Sequence, residues 1–133
     1  SNGKLYALDI DDEMLEACRH RVTEARLGNV NVLKCAEFDF PVEASSLDGL
    51  FLAFVVHDST DGVRFLQEVR ALLGPRGWCT ILEWYRKQTE AGPPLERRVD
   101  PDELRELATE AGFRYLTTRN LNSDQYMATL RNG

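Results

Sequence analysis

Three short stretches of this sequence carry side chains that could do chemistry. Asp9-Ile10-Asp11-Asp12-Glu13 follows an apolar run and sets one carboxylate, Asp9, ahead of the acid best placed to cap the next helix, Asp11. A carboxylate accepts only and can take two donors at once, so Asp9 is a candidate receptor for a polar ligand. The plainer alternative is that it merely caps the helix. His57-Asp58 opens a polar stretch ending at Asp61. An imidazole titrates near neutral pH and can serve as a general base, although the same residue could simply brace the helix that follows. Glu83-Trp84-Tyr85 closes another apolar run and could line a pocket, or pack beneath the loop that holds Gly92-Pro93-Pro94. The three cysteines, Cys18, Cys35 and Cys79, form no CxxC pair and no cluster with histidine. No metal centre is expected from them, and scattered thiols in odd number fit a reducing compartment, the cytoplasm.

These residues need elements to position them. Lys4 to Ile10 reads as a strand without polar alternation, the pattern of a strand covered on both faces. Asp11 caps a helix whose apolar stripe is Met14, Leu15, Cys18, Val22 and Ala25, and Gly28 is expected to end it. Val30 to Lys34 is a second strand. Leu50 to Val56 is a third, apolar throughout and expected to lie centrally in the sheet. A helix carrying Val63, Leu66, Val69 and Leu73 follows and stops at Gly74-Pro75. Trp78 to Trp84 is the fourth strand, with Trp78 in the core. Asp100-Pro101-Asp102-Glu103 is a strong helix start, with Leu104, Leu107, Ala108 and Ala111 inward and Gly112 at the end. Phe113 to Arg119 and Gln125 to Arg131, joined by a short polar loop, are predicted to be antiparallel neighbours.

The order β-α-β-β-α-β-α-β-β predicts an α/β fold with a mostly parallel sheet and a C-terminal antiparallel hairpin. The chain of 133 residues is expected to form a single domain, 1–133, with 43% hydrophobic residues for its core. Its net charge of −6 argues against a nucleic-acid partner, and Arg97-Arg98 is a pair of surface charges rather than a basic patch. No apolar run approaches the roughly 20 residues of a membrane helix, so no membrane partner is expected.

In order and spacing, these motifs resemble the class I, Rossmann-like S-adenosylmethionine-dependent methyltransferases, of the small-molecule, ubiquinone-biosynthesis (methyltransferase-11) type. The likeness runs from Gly3 to about Leu130. It rests on Asp9-Ile10-Asp11 after the first strand, Lys34-Cys35-Ala36-Glu37 after the second, Asp48-Gly49-Leu50-Phe51 with Ala53 to Asp58, and Leu73-Gly74-Pro75-Arg76-Gly77 after the central helix. The resemblance implies S-adenosylmethionine as cofactor and a small-molecule methyl acceptor. It implies that Asp9, with Ile10 beside it, receives the ribose hydroxyls, that Cys35, Ala36 and Glu37 meet the adenine, and that Phe54 touches the cofactor. His57 is the implied base, and Asp58, Glu83, Trp84 and Tyr85 the implied acceptor pocket.

Two departures stand out. Cys35 replaces the family's usual Asp, which shifts the adenine contact to Ala36 or Glu37. The family's first strand and Gly-x-Gly-x-Gly loop are not found ahead of Gly3, so the domain is expected to be truncated at its N-terminus. Self-association through an exposed sheet edge, between the strands holding Leu8 and Leu52, is the expected consequence. Two other readings stay open: a degenerate, non-catalytic module of the same fold, and a nicotinamide-dependent oxidoreductase, which also uses an acid on ribose. A phospho-receiver domain is disfavoured because the third strand ends in Val55-Val56-His57 without a phosphoacceptor Asp. The nucleic-acid base methyltransferases are disfavoured because that position lacks their Pro-Pro-aromatic motif.

Overall fold

A computed structural model describes residues 2–133 of the chain. The chain divides into two compact units, Ser1–Pro41 and Val42–Gly133.

In the first unit, β1 (Leu5–Asp9) pairs in parallel with β2 (Val30–Lys34), Leu5 opposite Val30 and Asp9 opposite Lys34. The crossover is α1 (Asp12–Glu24). Asp11 caps it by accepting from the Glu13 amide at 2.9 Å, and Asp12 and Glu13 place negative charge at the positive end of the helix dipole. Leu15 is the buried residue of α1, whereas Met14, expected on the same stripe, is 58% exposed. Leu15, Cys18 and Val22 stand at i, i+3 and i+7 and define the stripe; Met14 lies about 100° to one side of Leu15. The helix ends at Glu24, before the expected Gly28, and the left-handed turn falls on Arg26 at φ 54°.

The second unit is built on a four-stranded sheet in the order β3-β4-β6-β5: β3 (Leu47–Ala53), β4 (Leu73–Trp84), β5 (Phe113–Asn120) and β6 (Gln125–Asn132). β3 and β4 run parallel, and β6 is antiparallel to both β4 and β5. Cross-strand partners share a face. Leu52 pairs with Ile81, Cys79 with Leu130 and Ile81 with Ala128, and this face is buried. It forms the core together with Phe65, Leu66 and Val69 of α2 (Gly62–Arg70) and Leu104 and Ala108 of α3 (Pro101–Glu110).

Four further sequence expectations are corrected here. β3 begins and ends three residues before the predicted Leu50–Val56 and lies at the end of its sheet rather than in the middle. Phe51 is accordingly 61% exposed, because an apolar run shows that a strand is apolar but not that both of its faces are covered. α2 stops at Arg70, and Gly74-Pro75 belongs to the irregular start of β4 instead of ending the helix. Trp78 is 42% exposed rather than in the core; a Cβ on its partner Gly49 would stand 2.1 Å from the indole Cε2, so the ring lies over the glycine. Asp100 is the residue before α3 and Pro101 opens the helix as expected, but the Asp100 carboxylate accepts from the Arg86 amide at 2.9 Å instead of capping. Gly112 ends α3 at φ 103°, a conformation that favours glycine, and the β5–β6 hairpin forms as predicted.

Candidate functional site

Each unit assembles its own cluster at the carboxyl ends of parallel strands, where ligands of open α/β sheets bind. In the first unit, Asp9 is the last residue of β1. Its Oδ1 accepts from the amides of Ile10 at 2.7 Å and Asp11 at 3.1 Å, which fixes the side chain at the strand end. The helix is capped by Asp11, so Asp9 is not needed for that role. The backbone oxygen of Asp9 accepts from the amide of Cys35, the residue after β2. Burial, and then the negative charge of Asp9, push the Cys35 thiol above its ordinary range, so it is a neutral packing group and not a thiolate. The Ala36 amide donates to the carbonyl of Asp39 in a tight turn, so it is committed to that turn.

In the second unit the chain leaves β3 at Phe54, which takes a left-handed φ of 59°. For an aromatic residue this conformation costs on the order of 1–3 kcal/mol and marks a constrained site. The Phe54 amide still donates to the Leu82 carbonyl at 2.9 Å, and its ring lies 6.1 Å from that of Trp84. The turn brings a single 3-10 turn, Val56–Asp58, back over the end of β4. His57 thereby meets Glu83. The imidazole Nδ1 lies 2.9 Å from Oε1 of Glu83, and the His57 amide donates to Oε2 at 3.0 Å. Oε1 also receives the Trp84 amide at 3.3 Å. The Glu83 side chain is 0% exposed and that of His57 8%. Against a carboxylate, which only accepts, Nδ1 carries the proton and Nε2 is the basic nitrogen of neutral His57. The hydrogen bond to Glu83 raises the His57 pKa above its ordinary 6.5 against the opposing effect of burial; the charges of Glu83 and Asp58 add to the rise and Arg97 works against it.

His57 and Asp58 line a cavity of about 350 Å³ with Arg86, Arg97, Val99 and Leu107. Glu83 lies beneath this cavity rather than in its wall. Trp84, one residue on, points to the opposite face, under the Arg98 guanidinium at 4.9 Å. Tyr85 packs on Tyr126 at 5.1 Å between ring centres and donates to Asn120. The sequence residues assigned to an acceptor pocket therefore separate: Asp58 faces the cavity, Glu83 supports it from below, and Trp84 and Tyr85 pack elsewhere.

Arg98, expected from the sequence to be a surface charge, is only 3% exposed. It donates to the carbonyls of Lys87, Ala91 and Pro93 and to the Thr89 hydroxyl, and its own carbonyl accepts from Arg86. One buried guanidinium thus organises the loop from Arg86 to Val99 that supplies a wall of the cavity. Trp84 offers the only hint in sequence, since an aromatic ring is a common partner of buried arginine. Among the described residues, no group of three His, Cys, Asp or Glu side chains could hold a metal ion, and no helix is long and apolar enough to cross a membrane.

Residues 1–81 match the family described as "Methyltransferase domain". The chain belongs to that family. This methyltransferase domain is 33% identical over 94 residues to the ubiquinone/menaquinone biosynthesis C-methyltransferase of Acidiphilium cryptum, covering 70% of the chain and 38% of that relative. It is 31% identical to the demethylmenaquinone methyltransferase of Listeria monocytogenes, over 61% of the chain and 34% of the relative. The domain therefore spans little more than a third of the length of these relatives. Among solved structures, it superposes on an S-adenosylmethionine-dependent methyltransferase from Aquifex aeolicus with a TM-score of 0.93 at 26% identity, covering 100% of the chain and 71% of that structure. The fold is that of the Rossmann-like methyltransferases, α/β with a C-terminal antiparallel hairpin.

Proposed function

We propose that this domain transfers a methyl group from S-adenosylmethionine to a small-molecule acceptor, with His57 as the base that takes the acceptor's proton. The curated relatives are named for ubiquinone and menaquinone biosynthesis, which supports a small organic acceptor. The residues present fit the cofactor at its ribose. Asp9 is immobilised through Oδ1 by two backbone amides, which leaves Oδ2 as the acceptor for hydroxyl groups. When bound, S-adenosylmethionine supplies an electrophilic methyl carbon on a sulfonium. Cys35 and Ala36 stand beside Asp9 as the wall for the adenine, with Ile10 and Glu37 flanking.

The observation that carries the reading is the buried Glu83 carboxylate on His57 Nδ1. It holds the ring in one orientation, keeps the proton on Nδ1, leaves Nε2 as the proton acceptor, and stabilises the imidazolium once the proton has moved. Calorimetric titration with S-adenosylmethionine, together with transfer of labelled methyl to a panel of phenols and quinols, tests the proposal. His57→Ala is expected to lower turnover on any accepted substrate by ~100-fold. Cofactor binding with turnover that survives His57→Ala within a few-fold would remove His57 from the chemistry.

A further inference from the structure

The two nitrogens of His57 meet carboxylates under opposite conditions. Nδ1 meets Glu83 at 2.9 Å, with that side chain 0% exposed. Nε2 meets Asp58 at 3.4 Å, with that side chain 66% exposed. Asp58 Oδ1 in turn stands 4.0 Å from Nη1 of Arg97, whose side chain is 62% exposed. The first contact is short and sealed from water. The other two are long, exposed and weak, because such pairs gain little against solvent. Asp58 thus sets a carboxylate oxygen between an imidazole nitrogen and a guanidinium, at the mouth of a cavity of about 350 Å³, and holds it there loosely.

We propose that this position is an oxyanion site: the oxygen of an acceptor that is an oxygen acid, such as a phenol or enol, displaces the Asp58 carboxylate and lies between His57 Nε2 and Arg97. The other cations of the cavity are already engaged. Arg86 is paired with Glu103 at 2.7 Å and donates to the Arg98 carbonyl, and Arg98 is held by its loop. Glu96 and Glu103 also line the cavity and oppose an anion there, Glu103 being taken up by Arg86; Arg97, paired weakly with the exposed Asp58, is the guanidinium that attracts an anion towards Nε2. If the acceptor arrives as a neutral acid, its O–H bond breaks, the electron pair stays on oxygen and the proton bonds to Nε2. If it arrives ionised, it meets an imidazolium. Both routes end in the same imidazolium–oxyanion pair, with a nucleophilic oxygen, or a carbon conjugated to it, ready for alkylation.

The inference rests on the reading that His57 faces the acceptor, but its test requires no methyl transfer. The probe is 4-nitrophenol, whose ionised form absorbs visible light, titrated into the chain while the ring resonances of His57 are followed by NMR. Saturable binding that moves the His57 signals is expected. Asp58→Asn is expected to tighten binding by roughly threefold to tenfold by removing a competing anion, and Arg97→Ala to weaken it by a similar factor. Both substituted side chains are at the exposed mouth of the cavity, and thermal melts check that the variants stay folded. Unmoved His57 resonances at millimolar probe would overturn the proposal, as would weaker binding by Asp58→Asn, which would mark Asp58 as a receptor for a cationic acceptor. Probe binding without methyl transfer would sink the proposed reaction and leave the oxyanion site standing.

Discussion

Replacing Glu83 by glutamine changes one oxygen of a fully buried carboxylate to an amide nitrogen while keeping its shape. In the native domain that carboxylate receives the His57 ring at 2.9 Å, the His57 amide at 3.0 Å and the Trp84 amide at 3.3 Å. All three are donors, and the glutamine side chain would have a single acceptor oxygen. If its NH2 replaces Oε2 it faces the His57 amide; if it replaces Oε1 it faces the imidazole and the Trp84 amide. Either way a part-buried backbone N–H loses its partner, which costs about 1–3 kcal/mol, and a charge-assisted bond becomes a neutral one. The loss of a buried charge offsets part of this by removing its desolvation cost. The expected net effect of Glu83→Gln is a destabilisation of about 2 kcal/mol, with a fall in the His57 pKa, because the largest cause of its rise is removed. A group whose pKa is raised on folding contributes stability that is fully present below its unfolded value, here 6.5, and is lost as pH rises through the folded value. The gap between wild type and variant is therefore largest near pH ~6 and narrows towards pH ~9. Urea unfolding at both pH values and an NMR titration of His57 measure these effects. A variant within ~0.5 kcal/mol of wild type at the lower pH, with an unchanged His57 midpoint, would show that the carboxylate does not hold the ring.

Other side chains give shorter tests. Asp9→Ala is expected to weaken S-adenosylmethionine binding by about 10- to 100-fold in calorimetry, the range for one charged hydrogen-bonding partner, and an unchanged Kd would take Asp9 out of the site. Arg98→Met strips the donors from Lys87, Ala91, Pro93 and Thr89, so a loss of about 3 kcal/mol in urea unfolding and earlier proteolytic cutting between residues 87 and 95 are expected; an unchanged cutting pattern would mean that the loop holds itself. Gly49→Ala places a methyl 2.1 Å from the Trp78 ring, which must swing outward at a cost of about 1–3 kcal/mol, read as a red shift in tryptophan emission together with a lower Tm.

What is legible in the sequence follows from how local each signal is. The α1 cap at Asp11, the α3 start at Asp100-Pro101, the Gly112 stop and the β5–β6 hairpin are written within a few residues each, and all of these elements form. The sequence misplaces β3 because Val55 and Val56 continue an apolar run past the point where the backbone turns. That turn is set by Phe54 in a conformation no aromatic residue prefers, so propensity points the wrong way. Met14 and Trp78 depart from expectation for a different reason: their type marks them as apolar, but exposure depends on what lies opposite.

The coupling of His57 to Glu83 joins residues 26 apart, and sequence alone presents them as separate candidates. It is nevertheless partly encoded. Cys79, Ile81 and Glu83 share one parity of β4, and all three are 0% exposed. A strand whose alternate residues are Cys, Ile and then Glu places a carboxylate on its buried face, and a buried carboxylate must find donors or a cation. Because Ala53 of the neighbouring strand sits opposite Leu82, whatever follows β3 passes above Glu83, and the cationic candidate in that stretch is His57. Parity names the acid, parallel register names its neighbour, and burial requires the pair. A polar residue at a core parity near a strand's carboxyl end is thus a sharper pointer to a site in this fold than the exposed acids and aromatics around it.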